Sequence, residues 1–188
     1  FGTVINVTYG PSGKEYSATY CEVVSAHAVV KCLSAEGTGS NHLYSIAVNG
    51  LESESLFRSP SGYAPPTLNN VLGTGAINAL SGGGEQVHLV GTNFGPMSSK
   101  STVNATYTDT HEGLTYSANR CVRTVDHTQI TCYTSAGSGK ELKWTVYVDG
   151  LPSRAPSSSF LRPEIGSVGV STTVKISQFS RRARRLLQ

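Results

Sequence analysis

The chain has 188 residues, of which 14% are charged and 20 are glycine, with a formal net charge of +3 at pH 7. The charged fraction is well below the ~25% usual for soluble chains, but 38% hydrophobic content is enough to form modest cores, which excludes wholesale disorder. Four arginines in one terminal run supply the positive excess, so the broad basic face that nucleic-acid backbones need is absent.

An internal repeat with an offset of 100 residues organises the chain. Cys21 and Cys32 are eleven residues apart, and so are Cys121 and Cys132. The same offset relates other short motifs: Tyr16-Ser17-Ala18 and Tyr116-Ser117-Ala118, His27 and His127, and Val48-Asn49-Gly50-Leu51 and Val148-Asp149-Gly150-Leu151. So many coincidences at one spacing indicate a duplicated domain.

Each copy shows the period of two that strands require. Tyr44, Ile46 and Val48 alternate with Leu43, Ser45 and Ala47. In the second copy Trp144, Val146 and Val148 alternate with Lys143, Thr145 and Tyr147. No stretch sustains a helical period, and glycine-rich turns separate the alternating runs. The pattern predicts an all-β sandwich.

Residues 81–96 carry a resemblance to a known family. They contain the glycine-rich turn Gly82-Gly83-Gly84, a strand at residues 87–90 and the G-x-N-F-G element at residues 91–95. This segment resembles the opening of an IPT/TIG domain, so the resemblance implies an all-β fold of two tandem immunoglobulin-like sandwiches. Domains of this family serve as spacers, binding modules, dimerisation domains and accessory domains of glycan-processing enzymes, so the resemblance implies fold more than function.

The two copies differ in how they begin. The second has about thirty-five residues before Val103, which form its first strands, whereas the first has three before Val4. We therefore predict an incomplete IPT/TIG-like domain at residues 1–65, a complete one at 66–162 and a donor segment with an Arg-rich tail at 163–188. The incomplete domain should expose an apolar slot with unpaired backbone groups.

The cysteine spacing predicts two disulfides within the domains, Cys21–Cys32 and Cys121–Cys132. Each pair brackets a polar turn, and residues equidistant from a hairpin turn face each other within disulfide reach. Four reduced, buried cysteines are the alternative. A zinc site is disfavoured because no C-x-x-C spacing occurs.

Asn6-Val7-Thr8 and Asn104-Ala105-Thr106 are N-glycosylation sequons at equivalent places in the two copies. Strand parity places both asparagines on the solvent side, so we predict N-glycans at Asn6 and Asn104. The Pro- and Ser-rich stretches are interpreted either as O-glycosylated segments or as plain linkers and edge loops. Disulfides and glycans together predict a secreted, extracellular or cell-surface protein, and no apolar window is long enough to span a membrane.

The end of the chain is similar to the start of the complete domain. Residues 162–169 echo residues 65–72, and residues 173–179 echo residues 87–94. We predict that this tail completes the first domain of the next copy by donor-strand complementation, a head-to-tail contact that propagates as a filament. The predicted donor side chains are Ile165, Val168, Val174, Ile176 and Phe179. Two alternatives are a chain cut from a longer array of repeats and a tail that folds back on its own first domain.

The basic run has two interpretations. Arg182, Arg184 and Arg185 fit a processing signature of the R-x-R-R kind, and cleavage there would release a subunit able to polymerise. A solvated basic tail that pairs with acidic groups or sugar acids explains the run equally well.

The sequence offers no catalytic pattern. It has no G-x-S-x-G elbow, no H-E-x-x-H and no acidic run at calcium-loop spacing, and His27 and His127 fall at predicted hairpin turns. We predict a non-enzymatic protein without a cofactor or metal, whose partners are further copies of itself and covalent glycans. The predicted function is a structural subunit of an extracellular glycoprotein filament. The alternatives are a fragment of a surface receptor or adhesin that binds a protein or glycan, and an accessory domain of a secreted glycan enzyme.

Overall fold

A computed structural model of the chain describes residues 3–153 and the backbone of residues 157–160, 165–168 and 174–176. Regular structure in this part of the chain is entirely β and forms nineteen strands, numbered β1 to β19 in chain order. The prediction of an all-β, immunoglobulin-like fold is confirmed.

The first seven strands form what we call the N-terminal unit. One sheet has the order β2-β1-β5-β6, with β7 also paired to β5, and a separate pair joins β3 to β4. The strands are β1 (Ile5–Gly10), β2 (Tyr16–Ser17), β3 (Thr19–Ser25), β4 (Val29–Leu33), β5 (Leu43–Val48), β6 (Leu51–Glu52) and β7 (Phe57–Arg58).

The next ten strands form the C-terminal unit. One sheet has the order β13-β14-β10-β8, and the other has the order β12-β11-β15-β17-β9, with β16 paired to β15. The strands are β8 (Thr67–Leu72), β9 (Ile77–Ala79), β10 (Gln86–Thr92), β11 (Val103–Asp109), β12 (Thr115–Ser117), β13 (Asn119–Val125), β14 (Gln129–Tyr133), β15 (Leu142–Val148), β16 (Leu151–Pro152) and β17 (Ser157–Phe160).

Two further strands, β18 (Ile165–Val168) and β19 (Val174–Ile176), form an antiparallel pair, which we call the tail hairpin. Ile165 lies opposite Ile176, and Val168 lies opposite Val174. Among the strands that the structure describes, the tail hairpin pairs with no other.

The two units pair their strands in matching registers. In the N-terminal unit Tyr9 of β1 lies opposite Tyr44 of β5. In the C-terminal unit Tyr107 of β11 lies opposite Trp144 of β15. The same alternation therefore points the same positions inward in both units.

The core of the C-terminal unit lies between its two sheets. Tyr107 and Trp144 stack with their ring centroids 4.4 Å apart, and both side chains are completely buried. Strand alternation places every second side chain of the facing strands in this layer. The buried cluster is Leu68, Ala79, Val87, Leu89, Phe94, Ala105, Tyr107, Ile130, Cys132, Leu142, Trp144, Val146 and Val148.

Each unit contains one of the expected disulfides. Cys21–Cys32 joins β3 to β4, and Cys121–Cys132 joins β13 to β14. The hairpin turns between these strands carry His27 and His127, both at positive φ. The prediction of two disulfides across equivalent hairpins is confirmed.

Candidate functional site

A groove of about 440 Å³ opens in the N-terminal unit between the β1–β5 face and β4. Aliphatic and aromatic side chains make up most of its wall. The apolar lining comes from Val7 and Tyr9 of β1, Val30, Cys32 and Leu33 of β4, Tyr44 and Ile46 of β5, and Phe57 of β7.

One edge of β4 borders this groove without a partner strand. Its other edge pairs with β3, and no second neighbour is found for β4 among the described strands. In the C-terminal unit the equivalent strand, β14, lies between β13 and β10. The groove therefore runs beside a row of unpaired backbone groups, where the C-terminal unit has a further strand.

Burial differs between the two units at equivalent positions. Ile130, Cys132 and Val146 are completely buried, whereas Val30 and Ile46 are only half-buried. In the C-terminal unit these positions belong to one cluster with four side chains of β8, β10 and the loop after β10. Those covering side chains are Leu68, Val87, Leu89 and Phe94.

The floor of the groove is held by tyrosines. The ring of Tyr9 stacks on Tyr44 with centroids 5.2 Å apart, and its hydroxyl accepts the N–H of Ala35 at 2.8 Å. The Tyr63 hydroxyl lies 2.8 Å from that of Tyr9 and donates to the Ala35 carbonyl. Burial, reinforced by the hydrogen bond with Tyr9, raises the pKa of Tyr63. The Tyr63 phenol therefore stays neutral, and the bonds of Tyr9 and Tyr63 to Ala35 hold the floor in place.

A buried histidine lies beneath this floor. His42 is 1% exposed, and the rings of Tyr9, Tyr16 and Tyr63 surround it at centroid distances of 5.6 to 5.9 Å. Within the described residues neither ring nitrogen meets hydrogen-bond geometry, although the backbone of Gly39 weakly favours the charged form. Burial lowers the pKa of His42, and the negative charge of Asp149 opposes this shift only in part. The side chain is therefore held in its neutral form.

The N-terminal unit contacts the C-terminal unit through the loop that precedes His42. The hydroxyl of Thr38, which is 3% exposed, donates to Oδ2 of Asp149 at 2.6 Å. The methyl group of Thr38 lies against Gly95, where a Cβ would come within 2.4 Å of it. Beside this contact, Glu36 and His127 approach to 3.5 Å. We call these contacts the unit junction.

An arginine stiffens the C-terminal side of the unit junction. Arg123 donates to the carbonyls of Phe94 and Ser101 and to the Ser101 hydroxyl. Burial lowers the pKa of Arg123, although Asp149 favours its charged form. These bonds tie β13 to both ends of the loop between β10 and β11, which carries Gly95.

The structure places the predicted modification sites on the surface. Asn6 of β1 and Asn104 of β11 are both exposed, while Val7 and Ala105 beside them point inward. The glycans themselves stay a prediction. Among the predicted donor residues, Ile165 and Val168 lie in β18 and Val174 and Ile176 lie in β19. Phe179, Arg182, Arg184 and Arg185 lie outside the described residues.

Sequence reasoning did not identify His42 or Thr38 as notable residues. Comparing the copies position by position supplies the missing signal for His42, because it stands where the second copy has the core residue Leu142. The repeat marks Thr38 only as the middle residue of the turn Gly37-Thr38-Gly39, and it gives no sign of the contact with Asp149, which is 111 residues away.

In the part of the chain that the structure describes, no three His, Cys, Asp or Glu side chains come together to hold a metal ion. The same part contains no helix long and apolar enough to cross a membrane.

The sequence model of the IPT/TIG domain matches residues 76–161, which covers most of the C-terminal unit. No curated protein matches the chain. The two disulfides and the matched domain fit an extracellular protein.

Proposed function

Residues 76–161 form an IPT/TIG domain, and we propose that the chain is a structural subunit of an extracellular glycoprotein filament. Each copy would join the next by placing its tail hairpin in the groove of the next N-terminal unit. An IPT/TIG domain suits a receptor-type, adhesin-type or structural role. The unpaired edge of β4 favours the structural one, because it lies where β14 has β10 as its neighbour.

A strand added at this edge would pair the free backbone groups of β4 and cover the apolar wall of the groove. Main-chain hydrogen bonds to β4 would provide affinity, and alternate side chains would fill the groove. The C-terminal unit indicates the free energy that burial of the donor side chains would contribute, since four side chains of its covering segment are buried there. At about 1.5–3 kcal/mol each, they contribute on the order of 6–12 kcal/mol. Association costs about 4–15 kcal/mol, so the whole tail hairpin is required rather than one strand.

The tail hairpin resembles the segment that covers the C-terminal unit. Val168 pairs with Val174 in an antiparallel register, as Val71 of β8 pairs with Leu89 of β10. Both hairpins bring apolar residues of similar size together on neighbouring strands. The tail therefore carries the two strands that the N-terminal unit lacks among its described residues.

The direction in which the chain leaves the C-terminal unit supports donation to another copy. Strand β17 pairs with β15 through Ser158 opposite Leu142, at the start of β15. The unit junction lies at Asp149, just beyond the other end of β15. Seven residues of strand span roughly 20 Å. The tail thus starts on the side of the C-terminal unit away from its own groove, where a second copy can present one.

Sugars and disulfides would suit such a filament to the cell exterior. The exposed positions of Asn6 and Asn104 allow glycans to coat the surface without blocking the groove, because neither residue lines it. Removal of the basic run that contains Arg182, Arg184 and Arg185 would leave residues 163–180 in place, so the processed chain would assemble as the full chain does.

Electron microscopy of the purified full chain and of two deletion variants tests this proposal. The variant without residues 163–188 lacks the tail hairpin, whereas the matched control without residues 181–188 keeps it and loses only the basic run. We expect filaments from the full chain and from the control, and dispersed particles from the longer deletion. Hydrogen exchange should show that the amides on the groove edge of β4, which do not pair with β3, are protected only in the filaments.

Three results would overturn the proposal. Filaments that survive deletion of residues 163–188 would show that the tail is not the donor. A full chain that stays dispersed, with the groove edge of β4 unprotected, would favour a receptor or adhesin fragment. A full chain that stays dispersed, with that edge protected, would show that the tail closes its own groove.

A further inference from the structure

The unit junction within one chain has a geometry that could recur between chains. Thr38 inserts its hydroxyl against Asp149, and Oδ1 of the same carboxylate accepts the N–H of Thr102 at 3.0 Å. One oxygen of Asp149 therefore holds its own turn, and the other receives the neighbouring unit. A recurrence between copies needs a second loop like that of Thr38 and a second turn like that of Asp149.

The loop is present again at the far end of the C-terminal unit. The Tyr16 hydroxyl bonds both the carbonyl and the N–H of Thr38, at 3.1 and 3.0 Å. The Tyr116 hydroxyl bonds the same two groups of Ser138, at 3.0 and 3.5 Å. Ser138 is half-buried, and within the described residues its hydroxyl has no hydrogen-bond partner. Loop 136–139 thus presents a hydroxyl in the shape that loop 36–39 uses.

The turn is present again at the far end of the N-terminal unit. Asn49 and Asp149 have φ values of 50° and 47°, and a glycine at positive φ follows each. Oδ1 of Asn49 accepts the N–H of Val4 at 2.9 Å, as Oδ1 of Asp149 accepts that of Thr102. Asn49 is exposed, whereas Asp149 is half-buried. The turn is therefore open on the side where Asp149 is covered.

The pair Ser138–Asn49, like the pair Thr38–Asp149, matches a hydrogen-bond donor with an acceptor. A carboxylate oxygen only accepts hydrogen bonds, so Thr38 must donate to Asp149. The amide of Asn49 has its oxygen occupied by Val4, which leaves its NH₂ group as a donor. The hydroxyl of Ser138 can accept as well as donate. Ser138 and Asn49 therefore form a matching pair with the direction of the bond reversed.

We infer that successive copies in the filament meet through this second pair, with loop 136–139 of one copy docked on the Asn49 turn of the next. This inference rests on the proposed function, which brings the C-terminal unit of one copy against the N-terminal unit of the next. The contact between copies then repeats the unit junction, so the units are evenly spaced along the filament. It lacks one side-chain contact, because Ala136 stands where Glu36 approaches His127 to 3.5 Å.

Cysteine cross-linking of the full chain tests the contact. In the variant with Ser138→Cys and Asn49→Cys, we expect an oxidised ladder of chain multiples on non-reducing gels. The pair Thr38→Cys with Asp149→Cys is the positive control and should cross-link within one chain. The pair Ser138→Cys with Asn119→Cys, which uses an exposed position on β13, should give no ladder. In low-resolution micrographs, where the two units look alike, the repeat along the filament axis should be half the length of one copy.

The outcomes separate this inference from the proposed function. Two results overturn the inference and leave strand donation standing. One is unequal spacing of the units along the filaments. The other is filaments that give no Ser138–Asn49 ladder although the positive control cross-links. The absence of filaments overturns both. A ladder that disappears when residues 163–188 are deleted supports both.

Discussion

Leu89 of β10 lies directly opposite Ile130 of β14, and both side chains are completely buried. Val30 of β4 stands where Ile130 stands, yet it is half-buried and borders an open groove. The difference arises from the missing neighbour of β4 and not from the residues of β4 themselves.

A charge placed in the groove should prevent assembly. Val30→Asp puts a carboxylate against the tail of the next copy, and an unpaired buried charge costs several kcal/mol. We expect the concentration needed for filament formation to rise at least about a hundredfold, which corresponds to ~3 kcal/mol. Sedimentation of filaments at a series of chain concentrations measures it.

The neighbouring residue provides the control for that change. Val29 is 49% exposed and does not line the groove, so Val29→Asp carries the same charge on the other face of β4. It should assemble as the unchanged chain does. Equal effects of the two substitutions would contradict strand addition at this edge.

The donor strand should tolerate a charge on only one face. Positions 174 and 176 share a face of β19 by strand alternation, and position 175 lies on the other. Ile176→Asp should abolish filaments, and Lys175→Asp should leave them. Mixing the Ile176→Asp chain with unchanged chain should cap growing ends and shorten filaments, which micrographs would record. Unchanged filament lengths in such mixtures would argue against the tail as donor.

The stability of the N-terminal unit should fall in acid because of His42. Its pKa in the folded protein is lowered from 6.5, so the unfolded chain takes up a proton first as the pH falls. The stability is fully present above about pH 6.5 and is lost progressively as the pH falls through the lowered value. His42→Leu, which introduces the residue found at Leu142, should remove this dependence.

Hydrogen exchange of residues 5–58 at pH 7.5 and pH 5.0 measures the effect. His27→Asn is a suitable control, because His27 is exposed and asparagine tolerates its positive φ. It should keep the acid sensitivity. A chain with His42→Leu that loses protection in acid as steeply as the unchanged chain would show that other groups are responsible.

Glycans should occupy Asn6 and Asn104 in protein secreted from eukaryotic cells. Each of Asn6→Gln and Asn104→Gln should remove one glycan from the mass of the intact chain, and the double variant should lose all enzymatically releasable N-glycan. Asn119→Gln alters the variant sequon Asn119-Arg120-Cys121, whose cysteine is in a disulfide, and should leave the mass of the glycans unchanged. Intact-protein mass spectrometry distinguishes these outcomes.

The sequence by itself determined the strands, the faces they bury and the cysteine pairing. A period of two sets which side chains point inward, so Val7 and Ala105 face the interior and Asn6 and Asn104 face solvent whatever the strands pair with. A spacing of eleven residues around a polar turn likewise brings two cysteines together locally.

Only the tertiary structure decided which strands are neighbours and which residues meet across units. Periodicity is a local property, whereas the position of β14 between β13 and β10 joins strands about forty residues apart in the chain. In that order β14 is an interior strand, so the free edge of β4 corresponds to an edge that is paired in the C-terminal unit. Similarly, the burial of His42 and the contact of Thr38 with Asp149 depend on packing between distant segments, which no short pattern encodes.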